Sequence, residues 1–250
     1  MSSNVKDVLQ APILHFYSLD STNNRAAQMI DADTAQAGLT IVAQEQSSGK
    51  GQRGNVWNDE AGKSLLMSII LQPTVAIDAQ FSFSAAISVA VAEAIQSLDP
   101  SLDVRIKFPN DIIINDKKAA GILIENSLRG NNWTHAIIGI GINLLQKEFP
   151  KHLPNATSLF LATGKEWTQE EILNIVRTKA IENTSTPFLK HYLDRYNQLL
   201  YKRSQIQTFA NGEEVFDSII LGVDEKGQLL IQLADASIKA FAHGKLNWVW

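Results

Sequence analysis

Four apolar segments follow one another closely between residues 103 and 143, with only short turns between them. The separators contain the turn formers Pro, Asn, Asp and Gly. Strands joined by such short turns run antiparallel, because a parallel pair needs a crossover of about a dozen residues or more. The chain is therefore expected to form a mixed or antiparallel sheet rather than repeated strand–helix–strand units. The predicted strands are Asp103 to Phe108, Ile112 to Asn115, Ala120 to Asn126 and Thr134 to Asn143.

Further strands and helices are expected around this meander. The alanine-rich segment from Phe81 to Leu98 has helical spacing and predicts a long, well-buried helix. Thr168 and Glu171 form a capping-box pattern, which starts a helix that should reach about Asn183. The other expected elements are strands at Ile13 to Leu19, Leu39 to Ala43 and Ser64 to Leu71, a helix from Ser21 or Thr22 to about Met29, and a helix after Pro187 that reaches about Tyr201.

Short strand patterns fill the sequence after Arg203. Turn sequences such as Asn211-Gly212 separate them, and this spacing predicts a small β-barrel appended to the main domain. We therefore expect a large domain of residues 1–202 and a small domain of residues 203–250. The small domain's strands are expected at Gln205 to Phe209, Val215 to Val223, Leu229 to Leu233 and Ile238 to Ala242.

The composition narrows the functional classes. The 250 residues carry a net charge of −4, so there is no broad basic field for a nucleic-acid backbone, and any anion site must be local. The absence of cysteine excludes disulfides, thiolate metal sites and a cysteine nucleophile. The five histidines do not have metal-ligand spacing. The N-terminal sequence lacks a signal-peptide pattern and no apolar run is long enough to cross a bilayer, so a cytoplasmic protein without membrane contact is expected.

Residues 49 to 54 contain the pattern G-x-G-x-x-G, the fingerprint of a dinucleotide-binding turn. Such a turn must open a helix and precede an acidic residue by about 20 positions. Here another predicted strand follows, and residues 69 to 75 contain no carboxylate. The segment is therefore interpreted as a loop between strands. It is either a solvated surface hairpin or, because it carries Lys50 and Arg53, a loop that binds an anion.

A second group of polar residues lies in the meander. Lys107 ends a predicted strand and the rigid Pro109 turn follows at once, which directs its ammonium toward the end of the sheet. An edge-strand lysine beside an ordinary turn is the alternative. Farther along, Gly139 and Gly141 occupy alternate positions of one strand. Both leave the same face bare, so a ligand or another backbone can approach closely there.

Five motifs, taken in order, resemble those of the biotin–protein ligases. Each motif alone is weak, but five in the right order are specific, and the resemblance covers about residues 13 to 145. The C-terminal strands also match that family in kind. The family pattern is S-T-N, Q-x-x-G-R-G-R-x-G-x-x-W, K-W-P-N-D, K-x-x-G-I-L-x-E and G-x-G-x-N. The corresponding residues are Ser21 to Asn23, Gln46 to Trp57, Lys107 to Asp111, Lys118 to Glu125 and Gly139 to Asn143.

The resemblance implies an α+β fold, with a mixed sheet flanked by helices as in class II synthetases and biotin or lipoyl ligases, and a small C-terminal SH3-like β-barrel. It implies an ATP-dependent ligase that works in two steps. The biotin carboxylate attacks the α-phosphate of ATP to give biotinyl-5′-AMP, and a lysine of a biotin carboxyl carrier domain then attacks the activated carbonyl. ATP and biotin are the implied substrates, and Mg²⁺ is expected to arrive bound to the nucleotide. Because both reactants of the first step are anions, the site needs cations and N–H donors.

The resemblance also assigns roles to individual residues. Lys107 would bridge the biotin carboxylate and the α-phosphate, with Arg53 and Lys50 as further catalytic cations. Trp57 would pack against the adenine region; core packing is the alternative for this residue, and helix capping is the alternative for Ser21 and Thr22. The implied biotin-binding residues are Ser21, Thr22, Asn23, Gln46, Gly49, Lys50, Gly51, Gln52, Lys107 and Gly121. The implied nucleotide-binding residues are Arg53, Gly54, Trp57, Asn110, Lys118 and Asn143, and no metal ligand is implied.

The glycine loop departs from the family pattern at two positions. Lys50 and Gln52 stand where the family usually has arginine. Lys50 keeps the charge but lacks the bidentate fork, whereas Gln52 has no charge at all. Retention of the adenylate is therefore expected to depend more on Arg53 and on the loop backbone. In the next motif Phe108 replaces the usual tryptophan, which is a change of packing.

Two other functions fit parts of the sequence. A lipoate–protein ligase shares the fold and the adenylation lysine, but the glycine loop with Trp57 favours biotin. A non-catalytic biotin- or nucleotide-binding regulator, such as a repressor, is the alternative from another class. The first strand begins near Ile13, which leaves no room for the N-terminal winged helix of some family members, so specific nucleic-acid binding is not expected. A homodimer paired through exposed sheet edges is a further expectation.

Overall fold

The computed structural model describes residues 4–130, 132–186 and 189–249. The strands of its larger sheet are β1 (Ile13–Leu19), β2 (Thr40–Gln46), β3 (Ser64–Leu71), β4 (Val104–Lys107), β5 (Asp111–Ile114), β6 (Lys117–Arg129) and β7 (Asn132–Asn143). They lie in the order β1-β2-β3-β7-β6-β5-β4. β1 and β2 are parallel, and all other neighbouring pairs are antiparallel. The predicted mixed sheet and its antiparallel meander are confirmed.

Helices lie against this sheet and complete the α+β architecture. They are α1 (Val5–Leu9), α2 (Thr22–Asp31), α3 (Gln80–Gln96), α4 (Leu159–Thr163), α5 (Gln169–Thr184) and α6 (Lys190–Leu199). α3 is buried over most of its surface because α5, α6 and β4 surround it, and its alanines allow these neighbours to approach closely. Among the described residues, no helix combines the length and apolarity needed to span a membrane.

The helix predictions were correct for the longer elements. The predicted capping box is present, because Thr168 Oγ1 accepts a hydrogen bond from the Glu171 N–H and the Glu171 carboxylate accepts one from the Thr168 N–H. The short helices α1 and α4 were not predicted. Pro187, after which the last helix was expected, lies outside the described residues, and α6 begins at Lys190.

A second sheet contains the C-terminal strands β8 (Ile206–Asn211), β9 (Glu214–Val223), β10 (Leu229–Gln232), β11 (Ile238–Phe241) and β12 (Asn247–Trp248). It is antiparallel throughout, in the order β11-β10-β9-β8-β12. The Asn211-Gly212 turn joins β8 to β9, as predicted, and Gly212 has φ +64°, which a side chain rarely adopts. The four predicted strands are present, whereas the two-residue β12 was not predicted. The small C-terminal β unit, which we call the C-terminal unit, is confirmed, and the domain boundary at residue 202 stays a prediction.

Hydrogen bonds attach the C-terminal unit to the main sheet and to α6. The Asn197 side chain both donates to the Val223 carbonyl (2.9 Å) and accepts from the Val223 N–H (2.7 Å). Next to it, a Cβ at Gly222 would lie 3.0 Å from Asn197 Oδ1, so glycine permits this close approach. In the segment that leads from α6 into this unit, the Tyr201 N–H donates to the Ile106 carbonyl of β4. These contacts place the C-terminal unit beside the end of β4.

A buried arginine holds the N-terminal segment against β2. Arg177 on α5 is 6% exposed, and its guanidinium donates to the carbonyls of Leu9, Ala11 and Gly38 and to the Thr40 hydroxyl. Every one of these acceptors is neutral, so hydrogen bonds rather than an ion pair stabilise the charge. Removing the guanidinium would leave several buried acceptors without donors.

We predict that Arg177→Leu lowers the free energy of unfolding by about 3 kcal/mol or more, because of those unsatisfied acceptors. Urea denaturation measures this change. The matched control is Arg105→Leu, which removes an arginine that is half exposed and paired with Asp103 and should cost less than about 1 kcal/mol. Equal effects of the two substitutions would contradict the structural role of Arg177.

Candidate active site

A cavity of about 590 Å³ opens between the central strands of the main sheet and the C-terminal unit. β6 and β7 line its floor, the glycine loop closes one side, and the turn between β11 and β12 closes another. Most of the side chains predicted to bind ligands converge here. Those that line the cavity are Ser21, Thr22, Asn23, Gln46, Lys50, Gly51, Gln52, Arg53, Trp57, Lys107, Asn110, Lys118 and Gly121.

Glycines leave the floor of the cavity without side chains, as expected for Gly139 and Gly141. The side chains of Trp57 and Asn23 occupy the space above them. A Cβ at Gly141 would lie 2.7 Å from Trp57 Cε2, and one at Gly121 would lie 3.0 Å from the same ring. A Cβ at Gly139 would clash with the Asn23 amide. The glycines are therefore needed because an indole and an amide rest directly on the strands.

The glycine loop, residues 49 to 57, is a hairpin that returns the chain into β3. The Gly51 N–H donates to the Asn55 carbonyl (2.7 Å), and the Trp57 N–H donates to the Gly49 carbonyl (2.9 Å). Only one turn of 3₁₀ helix, Gln52–Gly54, lies within it. The prediction that no dinucleotide-type helix follows the glycines is confirmed.

A buried polar network lies where the N-terminus of α2 meets β2 and β3. Gln46 Oε1 accepts hydrogen bonds from the N–H (2.7 Å) and the hydroxyl (3.1 Å) of Thr22. Ser68 Oγ lies 2.7 Å from Thr22 Oγ1 and 2.6 Å from Asn23 Oδ1. Ser21, Thr22, Asn23 and Ser68 are all less than 5% exposed. The network thus presents fixed donors and acceptors to the cavity.

The network extends to a charged pair through Glu125 on β6. Glu125 accepts from the Asn23 amide (2.7 Å) and from Lys50 Nζ (3.2 Å). The ammonium of Lys50 is therefore held at the Asn23 end of the cavity. Ser21 makes no side-chain capping bond to α2, so the capping alternative does not account for its burial.

Lys107 lies at the end of β4, and its ammonium is partly removed from water. Burial lowers the pKa of Lys107 to about 8, an effect that nearby Lys118 strengthens and Asp111 opposes. Lys118 itself is paired with Asp111 at 2.7 Å. Lys107 Nζ lies 5.1 Å from the ring centroid of Trp248, which belongs to β12. The C-terminal unit therefore takes part in forming the environment of this lysine.

Arg53 connects the glycine loop to the C-terminal unit. Its Nη1 donates to the His243 carbonyl at 3.4 Å, and a Cβ at Gly244 would overlap its guanidinium. Gly244 also has φ +78°, so two independent constraints favour glycine there. The His243 ring packs edge-on against Phe108, with centroids 6.2 Å apart and planes at 83°.

Some of the predicted site residues lie elsewhere or have other partners. Gly49, Gly54 and Asn143 do not line the cavity. The Asn143 amide donates to the Thr157 carbonyl (2.9 Å), and the Asn110 amide, although beside the cavity, donates to the Ile122 carbonyl. Both amides therefore fix the backbone near the site.

The sequence assigned no role to Ser68, Glu125, His243 or Trp248. Ser68 had a signal, since it is polar within an otherwise apolar strand segment and pairs in register with Gly139. Glu125 was part of a quoted motif. His243 and Trp248 had no local signal, because only the packing of the C-terminal unit brings them to the cavity.

Comparison with known proteins supports a common origin for the fold and the site. Residues 15–143 match the family described as the biotin/lipoate A/B protein ligase family. The bifunctional ligase/repressor BirA of Bacillus subtilis is 29% identical over 243 residues, which covers 92% of this chain and 72% of that protein. The biotin–[acetyl-CoA-carboxylase] ligase of Paracoccus denitrificans is 35% identical over 127 residues, half of this chain and 51% of that protein. The structure of the biotin protein ligase from Aquifex aeolicus in complex with biotin and ATP matches with a TM-score of 0.78 and 26% identity, covering 94% of this chain and 97% of that chain.

The buried charge of Lys107 predicts a gain in stability when it is removed. We expect Lys107→Met to raise the free energy of unfolding near pH 7 by on the order of 1 kcal/mol, because the folded protein no longer holds a charge in a partly dry cavity. The folded pKa of about 8 lies below the ordinary 10.5, so the unfolded state binds more protons between these two values. The stability of the unmodified protein should therefore rise with pH over this interval, and this rise should be absent from the variant.

Urea unfolding at about pH 7 and about pH 9.5 tests this expectation. Lys190→Met is the control, since Lys190 is an exposed lysine whose pKa is raised by its hydrogen bond to Glu225. A Lys107→Met protein that is less stable than the parent near pH 7 would show that the lysine stabilises the fold.

Proposed function

Since the chain belongs to the biotin/lipoate A/B protein ligase family, we propose that it is a biotin–protein ligase. It activates biotin with ATP to biotinyl-5′-AMP and transfers the biotinyl group to a specific lysine of a biotin carboxyl carrier domain. The observation that carries this proposal is the single cavity that joins Lys107, the buried polar network and the glycine loop. The similar Aquifex aeolicus ligase was solved with biotin and ATP bound, which supports both substrates.

The cations of the cavity suit the first step. The biotin carboxylate and the α-phosphate are both negative, so their approach requires compensating charge. Lys107 lines the cavity at the end of β4, where the Trp248 ring of the C-terminal unit faces its ammonium, and a partly dehydrated ammonium interacts more strongly with anions than an exposed one. Arg53 supplies a second cation from the loop. Lys107 needs its proton for this role, so adenylate formation should decline as pH rises through about 8.

The network around Thr22 suits the head group of biotin. A ureido ring presents two N–H donors and one carbonyl acceptor, and a fixed set of hydroxyl and amide groups can match both kinds of atom. Ser21, Thr22, Asn23 and Gln46 provide these groups, and Gly121, which lies under the Trp57 ring, leaves room on the floor of the cavity. Lys50, held by Glu125, then positions the Asn23 amide rather than acting at the phosphate end.

The opposite end of the cavity is assigned to the nucleotide. Arg53, Trp57 and Lys118 face this end from the glycine loop and β6, and Lys118 Nζ lies 5.8 Å from the Trp57 ring centroid. Asn110 and Asn143 act through the backbone that their amides fix.

Magnesium is assigned to the nucleotide rather than to the protein. Among the described residues there is no group of three or more histidine or acidic side chains that could hold a metal ion. Asp111 is the carboxylate that lines the cavity, and it is paired with Lys118. The ion is then bound mainly through phosphate oxygens, as is common for Mg²⁺, and it offsets part of the triphosphate charge.

The carrier domain would approach from the open side of the cavity, because its lysine must reach the adenylate carbonyl. The absence of specific nucleic-acid binding, the homodimer and the cytoplasmic location stay predictions from the sequence. β1 is the edge of the main sheet at which a second copy could pair, because the other edge strand, β4, is bridged at Ile106 by Leu200 of the same chain.

Pyrophosphate exchange into ATP tests the proposed function and separates it from lipoate ligation. The purified protein should catalyse exchange with biotin and not with lipoate, because its fixed polar network matches a ureido ring. Lys107→Met should abolish the exchange while the protein stays folded, and Lys190→Met should retain it. Exchange with lipoate alone would assign the chain to the lipoate ligases, and no exchange with either would favour a non-catalytic binding protein.

Gln52 provides a test of how the adenylate is retained. It lines the cavity, and among the described residues no partner reaches its buried Oε1. We predict that Gln52→Arg slows the release of biotinyl-5′-AMP roughly tenfold, since one charge-assisted hydrogen bond to phosphate is worth about 1.5 kcal/mol.

Release is measured by trapping labelled adenylate that leaves the enzyme after dilution. Gln52→Met is the matched variant, which keeps the length of the side chain without adding charge, and it should release the adenylate as fast as the parent or faster. Equal release rates from the Arg and Met variants would place residue 52 away from the phosphate.

A further inference from the structure

The transfer step requires a proton acceptor, which the activation step does not. When an amine nitrogen bonds to an acyl carbon, the nitrogen becomes positively charged. It must then lose a proton so that AMP, rather than the amine, leaves the acyl carbon. A neutral base beside the reacting carbonyl accelerates this loss. This inference rests on the proposed function and concerns its second step.

Few of the titratable groups that line the cavity can accept that proton. Lys107 must remain charged for adenylation, and the guanidinium of Arg53 does not give up its proton in proteins. Lys50 is paired with Glu125, and Lys118 is paired with Asp111. The same ion pair engages the carboxylate of Asp111. The remaining titratable side chain in the lining is His243.

His243 lies in the turn after β11, where the cavity opens to solvent. Its ring packs against Phe108, the residue next to Lys107, and its carbonyl accepts from Arg53. The side chain therefore lines the same cavity as Lys107 and Arg53, the two cations assigned to the reacting centre. Because it is partly exposed, it can pass a proton on to water.

The charged groups around His243 favour its neutral form. Burial lowers the pKa of His243 below the ordinary 6.5, and the positive charge of Arg53 lowers it further, while Asp111 acts in the opposite direction. The imidazole is consequently unprotonated near neutral pH and has a free lone pair.

We propose that the imidazole of His243 accepts the proton from the carrier lysine nitrogen as that nitrogen adds to the carbonyl of biotinyl-5′-AMP. The unprotonated amine forms the C–N bond, and the nitrogen gives one proton to His243. The C–O bond to phosphate then breaks, and AMP departs with its electron pair. An amide remains, and His243 releases its proton to solvent.

The two half-reactions test this assignment in the full-length protein. His243→Gln keeps the main-chain carbonyl that holds Arg53 but removes the proton acceptor. Pyrophosphate exchange should stay within about twofold of the parent. The single-turnover transfer from preformed biotinyl-5′-AMP to an apo carrier domain should fall on the order of 10- to 100-fold. His15→Gln, on the exposed edge strand β1, is the matched control and should change neither reaction.

The pH profile of transfer supplies a readout that a purely structural role would not change. In the parent protein, the transfer rate should rise with pH as His243 loses its proton. A second rise with pH should come from deprotonation of the attacking lysine of the carrier. In His243→Gln only the second slope should remain. Unchanged transfer, or an equal fall in exchange and transfer, would overturn the role of His243 alone. Absence of exchange in the parent protein would overturn the proposed function, and this inference with it.

Discussion

The ammonium of Lys107 is the group around which the cavity is organised. Holding a cation partly out of water is costly, and its lowered pKa of about 8 expresses that cost. Two groups reduce this cost: the negative charge of Asp111 raises the pKa of Lys107, and the Trp248 ring faces the ammonium. A negatively charged reactant would supply much more compensation than either group. The cavity therefore holds, at the end of β4, a cation whose attraction for an anion is strengthened by its removal from water.

The remaining features of the cavity follow from the need to bring other groups close to that cation. Strands with side chains on both faces would fill the space above β6 and β7, so glycine at 121, 139 and 141 is what allows Trp57 and Asn23 to rest on the sheet. The hairpin from Gly49 to Trp57 can then close over the floor through ordinary backbone hydrogen bonds. Glycines thus act here in two ways, as bare surface in the strands and as a flexible turn in the loop.

The parts of this arrangement that depend on local sequence were predictable. The bounds of β1 and β3 agree with the prediction because both strands are mainly apolar and a polar residue follows each of them, Asp20 after β1 and Gln72 after β3. The capping box of Thr168 is a relationship across three residues and was equally accessible. By contrast, β12 contains two residues and exists only because β8 pairs with it, so no periodicity marks it. Glu125 was recognised within a motif, but its hydrogen bonds to Asn23 and Lys50 were not. These bonds join residues that are 102 and 75 positions apart in the chain, so only the fold brings them together.

The two units of the chain supply different chemical groups to the cavity, and these groups suit different steps of the reaction. The larger unit, made of the main sheet, its helices and the glycine loop, carries the cations and the polar network to which we assign adenylation, and all of these residues precede residue 130. Among the lining side chains that the C-terminal unit adds are the Trp248 ring, which faces Lys107, and the imidazole of His243. Under the proposed function, neither ring is assigned to the phosphates, and the imidazole serves the transfer step. Arg53 connects the two units through the His243 carbonyl and Gly244, so closure of the glycine loop and placement of the imidazole depend on the same contact. A bound adenylate that orders the glycine loop would therefore also order the imidazole of His243, which we assign to the transfer step. In this way the first step would prepare the cavity for the second.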